Sequence, residues 1–200
     1  MDHIQVDVLE LEKYLAISAA QHDHLCPRQV LGARLALAGV NALGLELPRP
    51  DKRLRVFIES DGCFADGVAA VTGCTVGHRT LWVQDYGKAA LTVVDTLMGI
   101  CLRIHPQAGV RQRALAYAPE AKNTYAAMLL GYRRMPDAEL LTVQPVELRS
   151  PLPAWISQPG LRLACEQCGE EIINERQVIQ AGHVLCQSCA GNAYFSLKDS

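Results

Sequence analysis

The most constraining feature of the sequence is a set of four cysteines near its C-terminal end. They form two C-x2-C pairs, Cys165 with Cys168 and Cys186 with Cys189, which residues 169–185 separate. Each pair offers two thiolates to one ion, and four thiolates complete the closed tetrahedral shell of a structural zinc site. A redox dithiol or a catalytic zinc fits less well, because this ligand set leaves no position for water. The spacing therefore predicts a structural Zn²⁺ ion held by these four residues.

The size of the surrounding segment supports this prediction. A unit of about forty residues buries too little apolar surface to fold alone, so a bound metal ion supplies folding free energy. Between the pairs we expect a hairpin formed by Ile172–Ile173 and Val178–Ile179, with His183 exposed on its second arm. Three prolines between Ser150 and Gly160 favour an extended spacer. The sequence thus predicts a core over residues 1–149, a proline-rich linker over 150–163 and a zinc-finger domain over 164–200.

Composition and charge narrow the class of protein. Half of the residues are apolar, eight are cysteines and the net charge is −2. The chain begins without a basic, apolar leader, and no apolar run reaches the roughly 18 residues of a membrane helix. We therefore expect a cytoplasmic protein with no membrane partner. Its cysteines are expected to bind metal, to be reactive thiols or to lie buried, rather than to form disulfides. The balanced charge gives no reason to expect nucleic acid as a partner.

Hydrophobic periodicity predicts an α+β fold. Helical spacing of apolar residues covers Val8–Gln21, and a second helix begins at Pro27 and runs to about Leu43. Arg53–Glu59 alternates like a strand. Further strands are predicted at 80–84, 90–95, 100–105 and 141–148, and further helices at 65–71, 107–117 and 119–135. This order predicts a largely antiparallel sheet with flanking helices, followed by a small four-cysteine zinc ribbon or treble clef.

A second group of metal-binding side chains lies before the second helix. His22, His24 and Cys26 occupy alternate positions, and alternate residues of an extended segment share one face. Imidazole and thiolate are preferred ligands of zinc, nickel, copper and iron(II). The group is therefore a candidate core site for a second transition metal, Zn²⁺, Ni²⁺ or Fe²⁺. The alternative is a pair of solvated histidines beside a buried cysteine.

Three further cysteines lie between these two groups. Cys63 and Cys74 sit in glycine-rich turns, where the backbone can approach a ligand closely, and either is a candidate to join a subset of the core ligands. The alternative is that both are small buried thiols beside ordinary turns. Cys101 lies within an apolar strand, and we expect it in the hydrophobic core.

Three motifs give the chain a resemblance to a known family. They are His22-Asp23-His24-Leu25-Cys26-Pro27, Val71-Thr72-Gly73-Cys74-Thr75-Val76-Gly77 and Asp85-Tyr86-Gly87-Lys88-Ala89. In this order they resemble the FmdE family, which takes its name from formylmethanofuran dehydrogenase, and the C-terminal cysteine pairs are similar to the zinc-finger extension of some members. The resemblance covers essentially the whole chain. It implies an α+β core that forms an intertwined homodimer, with a metal-associated His/Cys cleft and an association with molybdenum or tungsten enzymes.

The same resemblance implies roles near the cleft for Cys26, Tyr86 and Lys88, which are the candidate catalytic residues. Lys88 would hold an anionic group that Tyr86 orients; the alternative is an ordinary turn with a solvated lysine. The chain departs from the family pattern at Asp23 and Arg28, where glycine is common. It departs again at His78, a further candidate ligand, where lysine or asparagine is frequent.

These observations predict a metal-binding homodimer with a core transition-metal site and a structural zinc finger. One alternative is a non-enzymatic metal sensor or regulator whose finger contacts a protein or nucleic acid. Another is an accessory subunit that delivers metal to a molybdenum or tungsten enzyme. An enzyme would need an acid or base beside an open metal position, and the candidates are Asp61, Asp66 and Tyr86.

Overall fold

The computed structural model of the chain describes residues 7–20, 24–49, 51–156 and 160–198. The chain divides into two units, residues 1–147 and residues 148–200. The first is a mixed α+β unit with a mainly antiparallel sheet, and the second carries the four C-terminal cysteines. The predicted fold class is confirmed. Within the described ranges, no helix is both long enough and apolar enough to cross a membrane.

The first unit is built on a five-stranded sheet with the strand order β2-β1-β3-β4-β5. Strand β2 runs parallel to β1, and every other neighbouring pair is antiparallel. The strands are β1 (Leu54–Ile58), β2 (Leu81–Val83), β3 (Leu91–Asp95), β4 (Ile100–Pro106) and β5 (Leu141–Pro145).

Alternation along the strands gives the sheet an apolar face and a more polar one. Val56 pairs with Val93, which pairs in turn with Leu102, and all three lie on the face that packs against helices. On the opposite face, the guanidinium of Arg103 donates two hydrogen bonds of 2.6 and 2.7 Å to the Glu59 carboxylate.

Seven helices are described. In the first unit they are α1 (Val8–Ala19), α2 (Pro27–Ala42), α3 (Cys63–Thr72), α4 (Val110–Ala116), α5 (Thr124–Arg134) and α6 (Asp137–Leu140); α7 (Leu152–Trp155) belongs to the second unit. Helix α1 begins where the Asp7 carboxylate accepts a 2.8 Å hydrogen bond from the Leu9 amide, and α5 begins where Asn123 caps Ala126 at the same distance. The predicted second helix, from Pro27 to about Leu43, matches α2 closely.

Helix α2 is the centre of the first unit. Every residue from Pro27 to Val40 is buried except Arg28, as expected for a helix with neighbours on all sides. Helix α3 crosses it at two glycines. A Cβ atom on Gly32 would lie 2.3 Å from the Phe64 carbonyl oxygen, and one on Gly67 would lie 2.2 Å from the Gln29 carbonyl oxygen. Only glycine permits so close an approach, and the crossing fixes α3 relative to α2.

A buried arginine joins α2 to the end of α5. Arg34 donates hydrogen bonds of 2.5 and 2.8 Å to the carbonyl oxygens of Tyr132 and Met135, and it forms a 2.5 Å ion pair with Asp137. Both members of this pair are buried. The last carbonyl oxygens of α5, which have no partner within the helix, thus accept hydrogen bonds from a charged donor.

The second unit contains two hairpins and a short helical turn. They are β6 (Arg162–Ala164) with β7 (Glu171–Ile173), then β8 (Val178–Gln180) with β9 (His183–Leu185), then Ser188–Asn192. The predicted hairpin between Ile172–Ile173 and Val178–Ile179 is therefore wrong. The φ angles of Ala181 and Gly182 are 50° and 86°, which makes a two-residue turn that pairs β8 with β9 instead.

Candidate functional site

The four C-terminal cysteines form a cluster with the dimensions of a zinc site. Their sulfur atoms all lie within 4.8 Å of one another, and the Sγ atoms of Cys168 and Cys186 are 3.9 Å apart. Tetrahedral coordination with Zn–S bonds of about 2.3 Å places the sulfurs about 3.8 Å apart. The four residues therefore fit a zinc ion.

Turns in the second unit bring these sulfurs together. Cys165 and Cys168 lie in the turn between β6 and β7, where Gly169 has a φ of 77°. Cys186 follows β9, and its amide donates a 3.3 Å hydrogen bond to the Cys165 sulfur. The Cys189 amide donates to the Cys186 sulfur at 3.4 Å. Amide donors of this kind stabilise thiolates.

The pKa values of two thiols in this cluster are shifted in opposite directions. Amide donors from Cys168 and then Cys186 lower the pKa of Cys165 to about 6. Hydrogen bonding to Cys186, followed by burial, raises the pKa of Cys189 to about 12. Four adjacent thiols cannot all ionise beside one another unless a cation such as zinc compensates their charge.

Hardly any other core supports the second unit. Within residues 148–156 and 160–198, only Cys165 and Ile172 are buried. Glu166 links the two hairpins, because its carboxylate accepts a 2.9 Å hydrogen bond from the Val184 amide and lies 2.6 Å from Nδ1 of His183. His183 is exposed, as predicted, and binds Glu166 rather than joining the sulfur cluster.

In the first unit, the structure brings Cys26 and Cys63 together. Cys26 is the N-cap of α2, and Cys63 is the first residue of α3. Burial raises the pKa of the Cys63 thiol, and its hydrogen bond with the Cys26 side chain adds to the increase. Cys26 itself is only 7% exposed. Two thiols in contact at two helix N-termini are a chemically competent pair of soft ligands.

A buried glutamine that the sequence analysis missed positions this pair. The Gln29 side-chain oxygen accepts a 2.7 Å hydrogen bond from the Cys26 amide, and its nitrogen donates to the Ser18 hydroxyl at 3.0 Å. Gln29 therefore joins the end of α1 to the start of α2. The sequence signal was available, because glutamine three residues after an N-cap is half of a capping box.

A cavity of about 730 Å³ lies beside the two thiols. Its inner wall is largely apolar and includes Leu31, Phe64, Val110 and Tyr132. Its mouth carries charged and polar side chains, Arg28, Asp61, Asp85, Arg111 and Tyr125. The volume and this mixture of surfaces are typical of sites that bind small molecules.

Tyr125 stands beside the thiols at this mouth. Its hydroxyl donates a 3.3 Å hydrogen bond to the Leu25 carbonyl oxygen. Burial raises the pKa of Tyr125, and the neighbouring Cys26 and Cys63 raise it further. Sequence reasoning missed this residue because α5 lies about a hundred residues from Cys26 along the chain, and only the tertiary fold brings them together.

The candidate catalytic residues Tyr86 and Lys88 lie on a loop at the edge of the cavity. Their backbone amides donate hydrogen bonds of 2.9 and 3.0 Å to the Glu59 carbonyl oxygen, which fixes the loop to the end of β1. Asp85 and Gly87 line the cavity, whereas the side chains of Tyr86 and Lys88 are exposed and are not among the lining groups.

The remaining candidate ligands are dispersed. Cys74 follows the far end of α3, whose 10 residues span about 15 Å, so it is remote from Cys63. It is buried, and its thiol donates to the Leu54 carbonyl oxygen at 3.7 Å. Burial raises its pKa. His78 is exposed in the turn that follows Cys74.

Of the two histidines before α2, His24 is exposed and does not line the cavity, and His22 lies outside the described residues. Asp66 lies in the first turn of α3, and its charge contributes to the raised pKa of Cys63. In the part of the chain that is described, the four C-terminal cysteines are the one group of three or more side chains with metal-binding dimensions. Cys101 is half-buried in β4 rather than in the core.

Three comparisons relate the chain to known proteins. Residues 21–142 match the family model FmdE, described as molybdenum formylmethanofuran dehydrogenase operon. The chain is 28% identical over 211 residues to a probable S-adenosyl-L-methionine-binding protein of Archaeoglobus fulgidus, covering 92% of this chain and 54% of that protein. It thus spans about half the length of that relative.

A solved structure has the same fold. It is a tungsten formylmethanofuran dehydrogenase FmdE-like protein from Syntrophus aciditrophicus, which matches with a TM-score of 0.62 and 22% identity. The match covers 96% of this chain and 99% of the other. The likeness therefore extends over both units of the chain.

Proposed function

The chain belongs to the FmdE family, and from this premise we propose that it binds two metal ions. The resemblance drawn from its three motifs is thereby confirmed. The second unit would hold a structural zinc ion. The first would hold a transition-metal ion at Cys26 and Cys63, beside a cavity that binds a small molecule. The contact between these two thiols at the cavity is the observation that carries the proposal.

The chemistry of the donors fits a borderline transition metal. Cys26 and Cys63 would supply thiolates, and His22 and His24, which lie four and two residues before Cys26, are the nearest imidazoles along the sequence. This set suits Zn²⁺, Ni²⁺ or Fe²⁺ better than Mg²⁺ or Ca²⁺. A metal ion here would act as a Lewis acid towards a bound molecule.

The cavity distinguishes this proposal from a closed metal sensor. A sensor needs no space beside its metal, whereas about 730 Å³ with an apolar wall and a polar mouth accommodates a small organic molecule. The cavity thus supports a ligand-binding metalloprotein, and from the family we propose a role in metabolism related to molybdenum or tungsten enzymes. In this proposal the zinc finger stabilises the second unit and presents a surface for a protein partner.

The proposal includes a homodimer. Helix α1 exposes large apolar side chains, with Val8 60%, Leu9 81% and Ile17 42% exposed. Covering such side chains stabilises an interface by about 25 cal/mol for each Å² of apolar surface removed from water. Light scattering on the purified chain tests this: we expect twice the mass of one chain, and Leu9→Glu should shift the distribution towards monomer.

A second candidate function is the binding of S-adenosyl-L-methionine, which the description of the Archaeoglobus relative mentions. The observation in its favour is the mouth of the cavity, where Asp61 and Asp85 accompany Arg28 and Arg111. These are the charges that recognise the ammonium and carboxylate groups of an amino acid. Equilibrium dialysis with S-adenosyl-L-methionine tests it, and saturable binding that Asp61→Asn weakens would support it.

Metal content per chain tests the main proposal. Elemental analysis of the full chain should give two metal ions, and the double variant Cys26→Ser/Cys63→Ser should give one, because only the finger site remains. Cys101→Ser removes a thiol from β4 and is the matched control, with two ions retained. Cys74→Ser should also retain two. An unchanged content in the double variant would refute the core site.

A further inference from the structure

Two arginines lie at the mouth of the cavity and form no ion pair with any residue that the structure describes. Arg28 is the one exposed residue between Pro27 and Val40, and Arg111 is exposed on α4. Both line the cavity, and neither has a carboxylate partner among the described residues. Several other arginines of the first unit do have one: Arg34, Arg53, Arg103, Arg133 and Arg134.

The positions of these arginines do not stabilise their helices. Arg28 is the second residue of α2, and Arg111 is the second residue of α4. The N-terminal end of a helix carries partial positive charge, so a cation there is unfavourable by a few tenths of a kcal/mol or more. Both cations line one cavity, where a bound anion would offset this cost.

A buried tyrosine gives independent support. Tyr132 lines the same cavity and is only 4% exposed, yet its phenol has no hydrogen-bond partner within the described parts of the chain. Its hydroxyl is not among the fully enclosed polar atoms that lack a partner, so it is accessible from the cavity, where a ligand oxygen can accept its hydrogen bond. Burial raises the pKa of Tyr132, while the nearby Arg111 charge lowers it. The phenol is therefore a neutral donor beside a cation, suited to an oxygen acceptor.

The acidic residues of the mouth lie on other elements. Asp61 precedes α3, and Asp85 follows β2, where its carboxylate already accepts a 2.9 Å hydrogen bond from the Gly87 amide. The two arginines and Tyr132 come instead from α2, α4 and α5. Helices α2 and α4 thus supply the cationic groups at the mouth of the cavity, and α5 supplies a hydrogen-bond donor on its inner wall.

We infer that the cavity binds a small organic molecule through an oxyanion group, a carboxylate or a phosphate. Arg28 and Arg111 bind the oxyanion, and the Tyr132 hydroxyl donates a hydrogen bond to it. The rest of the molecule lies along the apolar wall beside Cys26 and Cys63. The inference rests on the proposed function only in taking this cavity as the functional site, and it assigns the class of ligand. Guanidinium groups favour planar or tetrahedral oxyanions because they donate in a fork.

Calorimetric titration of the full chain with inorganic phosphate and with succinate tests the inference. We expect saturable binding of at least one, and no binding of the neutral analogue succinamide. A preference for phosphate indicates a phosphate ester as the natural ligand, and a preference for succinate indicates a carboxylate. Arg111→Gln and Arg28→Gln should each weaken binding about tenfold or more, and Tyr132→Phe several-fold.

Controls separate this inference from the metal proposal. Arg176→Gln removes the same charge from the exposed surface of the second unit and should leave affinity unchanged. Tyr132→Phe keeps the apolar wall, so its effect is not one of unfolding, and circular dichroism confirms the fold. If Cys26→Ser/Cys63→Ser keeps both of its metal ions while Arg111→Gln still weakens anion binding, the metal proposal fails and the anion site stands.

Three results would overturn the inference. The first is that the wild-type chain binds neither phosphate nor succinate. The second is that Arg28→Gln and Arg111→Gln bind the anion as tightly as the wild type does. The third is that binding disappears in the cysteine double variant but persists in Arg111→Gln, because the metal and not the arginines would then hold the oxyanion.

Discussion

The contact between α2 and α3 allows a quantitative prediction for Gly67→Ala. The new Cβ atom would lie 2.2 Å from the Gln29 carbonyl oxygen, 2.9 Å from its carbon and 3.0 Å from the Ala33 nitrogen. All three are backbone atoms of α2, so no side chain can rotate away to relieve the clash. Helix α3 must instead move away from α2 by roughly 1 Å to restore ordinary van der Waals distances.

The cost of this movement follows from the packing of α2. Overpacking a well-packed core typically costs about 1–3 kcal/mol, and a clash between two backbones lies at the upper end of that range or above it. We therefore expect Gly67→Ala to lower the free energy of unfolding by about 3 kcal/mol. For a chain of this size that corresponds to a decrease in Tm of roughly 6–12 °C.

Urea unfolding of the full chain, followed by far-UV circular dichroism, measures the effect. Gly77→Ala is the matched control, because a Cβ atom there meets nothing within 4 Å, and its effect should stay within about 0.5 kcal/mol. Equal midpoints for Gly67→Ala and Gly77→Ala would refute the close crossing. Elemental analysis of the same samples adds a second readout, because displacing α3 separates Cys63 from Cys26 and should reduce binding of the core metal.

Other predictions concern charge and zinc. Hydrogen bonds from Arg53 lower the pKa of Asp95 to about 2. Its carboxylate therefore stabilises the fold above about pH 4, by a free energy on the order of 2 kcal/mol, and this stabilisation is lost as the pH falls towards 2. Urea unfolding should show a smaller loss of stability between pH 7 and pH 3 in Asp95→Asn than in the wild type. An equal loss in the two proteins would contradict this prediction. Asp137→Asn leaves Arg34 buried without its anion and should lower the free energy of unfolding by about 3–5 kcal/mol. Glu120→Gln, in an exposed ion pair, should lower it by less than about 1 kcal/mol. Similar losses of stability in the two variants would contradict the prediction. A zinc chelator should unfold the second unit and leave the first folded, as proteolysis followed by mass spectrometry can show, and an intact second unit without metal would contradict a structural role for zinc.

The four-cysteine cluster illustrates what local spacing can predict. The grouping of Cys165, Cys168, Cys186 and Cys189 follows from two short pairs, because each pair fixes two sulfurs through a single turn. The pairing of the short strands around these cysteines was harder to predict from the sequence. It depends on which residues make the tight turns, and the turn at Ala181–Gly182 pairs β8 with β9 rather than with β7. The pattern of apolar residues alone did not distinguish these alternatives.

The candidate core site shows where sequence reasoning ends. Cys63 and Cys74 both lie in glycine-rich turns and are equivalent candidates in the sequence. The helix predicted between them already places them at opposite ends, but which end meets Cys26 depends on the crossing of α2 and α3. Arg111 and Tyr132 were not identified at all, because helices α4 and α5 reach the cavity only through tertiary packing.

The crossing of α2 and α3 at their glycines also positions the candidate site. Variants at the crossing and variants at the cavity mouth should therefore have different effects. Gly32 and Gly67 set the distance between the helices that carry Cys26 and Cys63, so substitutions at these glycines should alter stability and metal binding together. The guanidinium of Arg111 is exposed at the cavity mouth and contributes little to packing, so removing its charge should weaken anion binding while the free energy of unfolding stays nearly constant. If stability and anion affinity instead decreased together in Arg111→Gln, the arginine would be part of the packed core, and the cavity would need a different ligand-binding group.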